Sequence, residues 1–399
     1  MNKFNFCVTI VVLFIATIAF GQNINANQGY PEPKKYVVTI PYTEVKGKIL
    51  IDVVINNKKR KFILDTGAPT AISEAIYKEI SPKSLGNVEI SDQSGAKDSI
   101  HVVSLPGIEI NGVNFKNIPA IVTKESMIFF ECFGAEGFIG SNLLRNSVVQ
   151  FDYKSKTVTI TDNPKVLRLK NKYSSKMELS ASQSSPFVWI ALKRGKNTAN
   201  EKILFDTGDD DLYILSISAY NQLTKELDVF DKISEATGSF SAGLHGVAKD
   251  QHHYAVNIPM LTFNTMILNN VITKTTHAET SRFGSAVLKF GKVTLDYKNK
   301  KFYFEPYDNR FTVDLREKIW PIDPTLEGEK LVVGIIWNEA LKNEINVGDE
   351  ILEFDGVDYS QLDFCQIVIS QRNSDKDIAR LIIKDRNTGK TKTIEINKL

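Results

Sequence analysis

Apolar and polar residues alternate along most of the chain up to about residue 308, in short runs closed by Gly, Asn or Asp. Tyr36-Val37-Val38-Thr39-Ile40 and Ile49-Leu50-Ile51-Asp52-Val53-Val54-Ile55 have the composition and alternation of strands, whose successive side chains point to opposite faces. Asn56-Asn57 reads as a hairpin turn into Lys61-Phe62-Ile63-Leu64, because asparagine tolerates the left-handed backbone of tight hairpins. Helical periodicity is sparse and best at 73–80 and 217–227. The pattern predicts an all-β architecture here. Residues 309–328, with Trp320-Pro321-Ile322-Asp323-Pro324 and Leu326-Glu327-Gly328, have the composition of a connector. Strand patterning resumes at Leu331-Val332-Val333-Gly334-Ile335-Ile336. It ends with Ala379-Arg380-Leu381-Ile382-Ile383-Lys384 turning at Asn387-Thr388-Gly389 into Thr391-Lys392-Thr393-Ile394-Glu395-Ile396.

Two of the apolar runs, Phe62-Ile63-Leu64 and Ile203-Leu204-Phe205, end in the same tripeptide: Asp65-Thr66-Gly67 and Asp206-Thr207-Gly208. One such turn after a strand is ordinary, but the surroundings repeat as well. Gly137-Phe138-Ile139-Gly140-Ser141-Asn142-Leu143-Leu144 follows the first copy and Ser281-Arg282-Phe283-Gly284-Ser285-Ala286-Val287-Leu288 the second. Behind them come Val149-Gln150-Phe151-Asp152-Tyr153-Lys154 and Val293-Thr294-Leu295-Asp296-Tyr297-Lys298. The offsets, 141 (206 less 65) and 144 (284 less 140), differ by only three residues. Two similar lobes are expected, at 30–163 and 164–308.

A repeated aspartate suggests two carboxylates brought face to face. Held ~3 Å apart, two carboxyls cannot both ionise cheaply, so they share a proton and one becomes an acid, the other a base. Such a pair can activate a water while protonating a peptide carbonyl, with no covalent intermediate, metal or cofactor. Glycine allows the sharp turn that presents each carboxylate. The two threonine hydroxyls, each donor and acceptor, could cross-link the loops.

Phe62-Ile63-Leu64-Asp65-Thr66-Gly67-Ala68 with Phe138-Ile139-Gly140 resembles the retropepsin-like aspartic proteases, in the duplicated, two-lobed arrangement. The resemblance implies an aspartic endopeptidase acting on peptides or unfolded protein, with Asp65 and Asp206 as the catalytic pair. It implies loop support from Thr66, Gly67, Ala68, Thr207, Gly208 and Asp209, and a floor at Gly140 and Gly284. Lobe two departs from the pattern in two places. Asp209 stands where a small residue is usual and is expected to raise the proton affinity of the pair; Arg282 replaces an apolar residue and is expected to loosen the floor. Covers over the cleft are expected around Ser91-Asp92-Gln93-Ser94-Gly95-Ala96 and around 238–246.

Ile345-Asn346-Val347-Gly348-Asp349-Glu350-Ile351-Leu352-Glu353-Phe354-Asp355-Gly356 resembles the PDZ family. That implies a small C-terminal β/α domain at 329–399, for capturing a peptide at a sheet edge or for packing.

Other chemistries recede. Asp209-Asp210-Asp211 lacks the alternation of a calcium loop, and His252-His253 would point to opposite faces of a strand, a solvated pair. No His-Glu-x-x-His, Gly-x-Ser-x-Gly or phosphate-binding glycine loop occurs. With 49 basic and 47 acidic residues and no dense basic patch, nucleic acid is not an expected partner.

Residues 1–21 read as a signal peptide, an apolar Val8-to-Ala19 core before Ala19-Phe20-Gly21, implying export to the periplasm or outside and no membrane span after cleavage. Cys132 and Cys365 would then remain, in different proposed domains, and no disulfide framework is expected. Two alternatives to the peptidase stay open: a catalytically silent peptide binder that keeps the fold, and a dimer that pairs two first lobes.

Overall fold

The computed structural model describes residues 24–91, 97–123, 132–240, 242–243, 246–247, 250–370 and 376–399. The expected leader lies outside them. No helix of the described residues is long and apolar enough to cross a membrane.

The fold is all-β. One sheet runs, strand beside strand, through Lys48–Ile55, Lys58–Asp65, Gly137–Gly140, Ala71–Ser73, Ile118–Thr123, Lys97–Leu105 and Lys83–Ser91. A second runs through Pro186–Arg194, Asn197–Phe205, Arg282–Phe283, Tyr213–Ser216, Met266–Thr276, Gln251–Phe263 and Asp231–Gly238, in the same order. In each, an Asp-Thr-Gly strand pairs in parallel with the later apolar-Gly segment: Asp65 lies opposite Gly140, and Phe205 opposite Phe283. The two helices expected from periodicity are Glu74–Ile80 and Ile217–Glu226. Each is capped by a serine, Ser73 or Ser216, that accepts an amide of the first turn. Asn56 and Asn57 both take positive φ, as the hairpin between Lys48–Ile55 and Lys58–Asp65 requires.

A platform of six strands joins the halves: Val37–Pro41, Thr157–Thr161 and Val148–Asp152 from one, then Gly291–Asp296, Lys301–Pro306 and Ser174–Leu179 from the other. Its central pairing sets Gln150 against Thr294, so residues equivalent by the sequence repeat meet on the axis between the halves. Phe151, Val293, Leu295, Phe302 and Phe304 are fully buried there, in one core shared by both halves.

The C-terminal residues form a separate sheet in the order Ile322–Glu327, Lys330–Ile336, Glu350–Phe354, Ile378–Lys384, Thr391–Asn397, with the helix Phe364–Ile369 and its own apolar core. Asp349 explains the Val347-Gly348-Asp349 signature: fully buried, it accepts the amides of Asn346 (2.8 Å) and Arg386 (2.9 Å) and pins two loops. Residues 309–328, expected as a connector, instead contribute the strand Thr312–Asp314, paired in parallel with Ile267 to Asn269, and the edge strand Ile322–Glu327.

This sheet is fastened on two sides. Ser239 donates its amide to Gly334 O (3.1 Å) and Ser234 its hydroxyl to Trp337 O (2.6 Å), over an apolar cluster of Ala236, Ala255, Ile319, Ile335 and Trp337. The backbones approach so closely that a Cβ on Gly334 would lie 1.9 Å from Ser239 O. On the other side, Lys46 donates to Val368 O (2.8 Å), and Cys132 is disulfide-bonded to Cys365. This bond corrects the sequence expectation. Their placement in different proposed domains argued against pairing, but the fold brings the Cα atoms, separated by 233 positions in sequence, to 4.6 Å.

Candidate active site

The loops after Lys58–Asp65 and Asn197–Phe205 meet head to head. Thr66 Oγ1 donates to Phe205 O (2.6 Å) and accepts the Thr207 amide (3.0 Å); Thr207 Oγ1 donates to Leu64 O (2.7 Å) and accepts the Thr66 amide (3.1 Å). Both threonines are fully buried, so four backbone groups of two crossing strands are satisfied with no water. The cross-link expected from sequence is therefore present, and it fixes the facing loops.

Between them the carboxyls of Asp65 and Asp206 face each other, each set against the glycine of the opposite loop. Gly67 and Gly208 are required by proximity rather than by backbone angle: a Cβ at 67 would stand 2.5 Å from Asp206 Cγ, and one at 208 would stand 2.3 Å from Asp65 Oδ2. Asp65 Oδ1 accepts the amides of Gly67 (2.9 Å) and Ala68 (3.0 Å), whereas Asp206 Oδ1 accepts that of Gly208 (2.9 Å). Burial, then the charge of Asp206 and the hydrogen bond with it, push the Asp65 carboxyl well above its ordinary range; the Ala68 and Gly67 amides oppose this.

The floors differ. Gly140 packs under Pro69 and Thr70, where a Cβ would meet backbone at 2.3 Å, and Gly284 packs under Asp211 O at 2.2 Å. In lobe one the neighbouring Asn142, fully buried, accepts the amide and hydroxyl of Thr70 (2.8 and 2.9 Å), and Ser141 donates to Thr66 O (2.7 Å). Lobe two uses charge instead. Arg282, 7% exposed, lies with Nη1 3.5 Å from Asp206 Oδ2 and Nε 4.0 Å from Asp209 Oδ2. Lys48, from the first lobe, donates to Gly208 O (2.7 Å) and Asp210 Oδ1 (2.8 Å). Burial works against the Lys48 ammonium, but Asp210, Asp209 and Asp206 outweigh it and hold the group above the ordinary lysine range.

Two expectations change. Asp209 does not stand as an uncompensated charge beside the pair: burial raises its carboxyl, and Arg282 and Lys48 pull against that rise. Arg282 does not loosen the floor, since it is buried with these carboxylates and its neighbour Phe283 is fully enclosed. His252 and His253 do face opposite ways, but His253 is buried, with Nδ1 2.7 Å from Thr275 O, and is not solvated. The expected covers are described in part: Ser91 pairs with Lys97 at the end of one hairpin and Gly238 with Gln251 in the other, while the tip 92–96 lies outside the described residues.

With this geometry in place, comparison with known proteins covers the first loop. Residues 51–146 match the family model described as "gag-polyprotein putative aspartyl protease". That span holds Asp65, Thr66, Gly67, Ala68 and Gly140. No protein of curated function matches the chain. Among solved structures, a retropepsin-like aspartic protease from Rickettsia conorii is similar at 19% identity, covering 33% of this chain and 94% of its own, with a TM-score of 0.23.

Lys48 and Asn142 carry no sequence signal as site residues, whereas Ser141 recurs as Ser285 in the repeat. Lys48 lies in an alternating strand whose partner loop is 160 residues away. Asn142 was visible only as the residue after Gly140-Ser141.

Proposed function

We propose that the chain is an aspartic endopeptidase whose single active site is shared by its two lobes. The observation that carries this reading is the reciprocal Thr66–Thr207 lattice that sets the carboxyls of Asp65 and Asp206 face to face. The pair shares one proton; burial and the Asp206 charge raise the Asp65 carboxyl, so we assign Asp65 as the acid and Asp206 as the base. Asp206 takes a proton from a water held between the pair, the oxygen attacks the peptide carbonyl carbon, and Asp65 gives its proton to the carbonyl oxygen. As the tetrahedral gem-diol collapses, Asp206 passes its new proton to the nitrogen, a gem-diol hydroxyl returns its proton to Asp65, the C–N bond breaks, and acid and amine leave.

Export is part of the proposal. It is supported by the leader-like first 21 residues and by the Cys132–Cys365 bond, which persists in oxidising compartments. The C-terminal PDZ-like sheet is assigned a packing role, supported by its backbone contact at Gly334 and Ser239 and its disulfide to lobe one. Peptide capture at its edge strand Ile322–Glu327 remains the second assignment, favoured by a cavity of about 570 Å³ that runs from Ile322 and Pro324 to Asp210 and Asp211.

The test is cleavage of an unfolded protein by residues 22–399, with and without a peptide carrying a secondary alcohol at the scissile position. Cutting that the alcohol blocks supports the reading, because the alcohol imitates one hydroxyl of the gem-diol. A folded protein that neither cuts nor binds the alcohol overturns it.

A further inference from the structure

The surroundings of the two aspartates are unequal in a way that the repeat does not require. The Gly67 carbonyl is met by neutral donors, Gln183 Nε2 at 2.9 Å and Ser185 Oγ at 3.3 Å. The Gly208 carbonyl is met by the Lys48 ammonium at 2.7 Å. Beneath the loops the first lobe presents Phe138, and the second presents Arg282 at the equivalent position, 3.5 Å from Asp206. Asp209 accompanies the guanidinium where lobe one has Ala68. The two departures from the repeat are thus partners: an arginine can replace the half-buried phenylalanine because an acid replaces the alanine above it.

We propose that Arg282, held by Asp209, is a positioning residue that assigns the shared proton, keeping Asp206 as the carboxylate and Asp65 as the acid. This rests on the peptidase reading and deepens it. The charged groups facing Asp206 are Asp65 from the opposite loop, Arg282 from the strand beneath, Lys48 from lobe one and Asp209 on its own loop. The two cations are on the lobe-two side. The two amides at Asp65 Oδ1 favour charge there, but they are dipoles set against the full charges around Asp206, and burial followed by the Asp206 charge raises the Asp65 carboxyl against them. The pair therefore holds one proton over a wide pH range, with its orientation built into the fold.

The experiment follows the aspartate side-chain carbons by NMR titration of the wild-type protein, with Asp65 and Asp206 assigned by Asp65→Asn and Asp206→Asn. It is repeated in Arg282→Phe/Asp209→Ala, which gives lobe two the residues of lobe one, and in the milder Arg282→Lys. Asp206 is expected to titrate below Asp65 in the wild type and to rise by about one pH unit or more in the double variant, with Arg282→Lys between. The acidic limb of the pH–rate profile should move up in parallel. An Asp206 that titrates at or above Asp65 in the wild type, or that is unmoved in a folded double variant, overturns the proposal. The titration needs no turnover, so absent cleavage with the expected order would sink the peptidase reading and leave this inference standing.

Discussion

Thr66 and Thr207 occupy equivalent places 141 residues apart, and each hydroxyl is both donor and acceptor to the other's strand. Neither can be replaced without stranding partners that belong to the opposite lobe. Thr66→Val keeps the shape but leaves the Thr207 amide and the Phe205 carbonyl unsatisfied in a dry site. We expect a loss of about 1–3 kcal/mol in urea denaturation and at least a tenfold drop in kcat/KM. Because Thr207 belongs to the same network, the double valine variant should cost less than the sum of the single ones. Strict additivity would mean that the two hydroxyls act separately.

Gly208→Ala tests how tightly the carboxyls are held. The new Cβ would overlap Asp65 Oδ2 at 2.3 Å, so one loop must withdraw. Cleavage should fall by more than a hundredfold, since displacement of about 1 Å is costly at such a site. Near-native kcat would show that the loops are looser than the geometry implies.

The Cys132–Cys365 bond ties the C-terminal sheet to lobe one across 233 residues. Reduction, or Cys132→Ser, should lower stability by about 2–4 kcal/mol and increase hydrogen exchange in Lys330–Ile336. Cys132→Ser/Cys365→Ser should be no worse than either single change. A melting temperature indifferent to reductant would contradict the pairing.

Glu201 is buried beneath lobe two with Tyr213 Oη at 2.5 Å, and burial raises it to about 7, against the Ser281 and Tyr213 hydrogen bonds. The folded protein therefore binds a proton there that the unfolded chain releases at lower pH. Its contribution is complete below the ordinary glutamate range and is lost as pH rises towards 7. Glu201→Gln should be close to neutral at pH 4 and stabilising by on the order of 1–3 kcal/mol at pH 8. Denaturant midpoints at the two pH values check this, and an equal effect at both would refute it.

The strands, both helices and the paired loops were legible because they rest on local chemistry: alternation, serine caps, and a repeat whose glycines and threonines have few other reasons to recur. What sequence reading missed is where distant segments meet. In the sequence Arg282 and Asp209 are two separate departures, and their compensation is visible only once Phe283 lies beside Phe205. Lys48 could not be told from any exposed lysine of an alternating strand. The disulfide was missed because neither cysteine neighbourhood says which surface of the C-terminal sheet turns to lobe one.

The most direct test of a single shared site is cleavage of an unfolded protein by residues 22–399 beside folded Asp65→Asn and Asp206→Asn. The account predicts that wild type cuts and that each single variant has lost the activity. Undiminished cutting by Asp206→Asn would contradict it and point to two chains pairing their first lobes, and cutting by both variants would place the chemistry elsewhere.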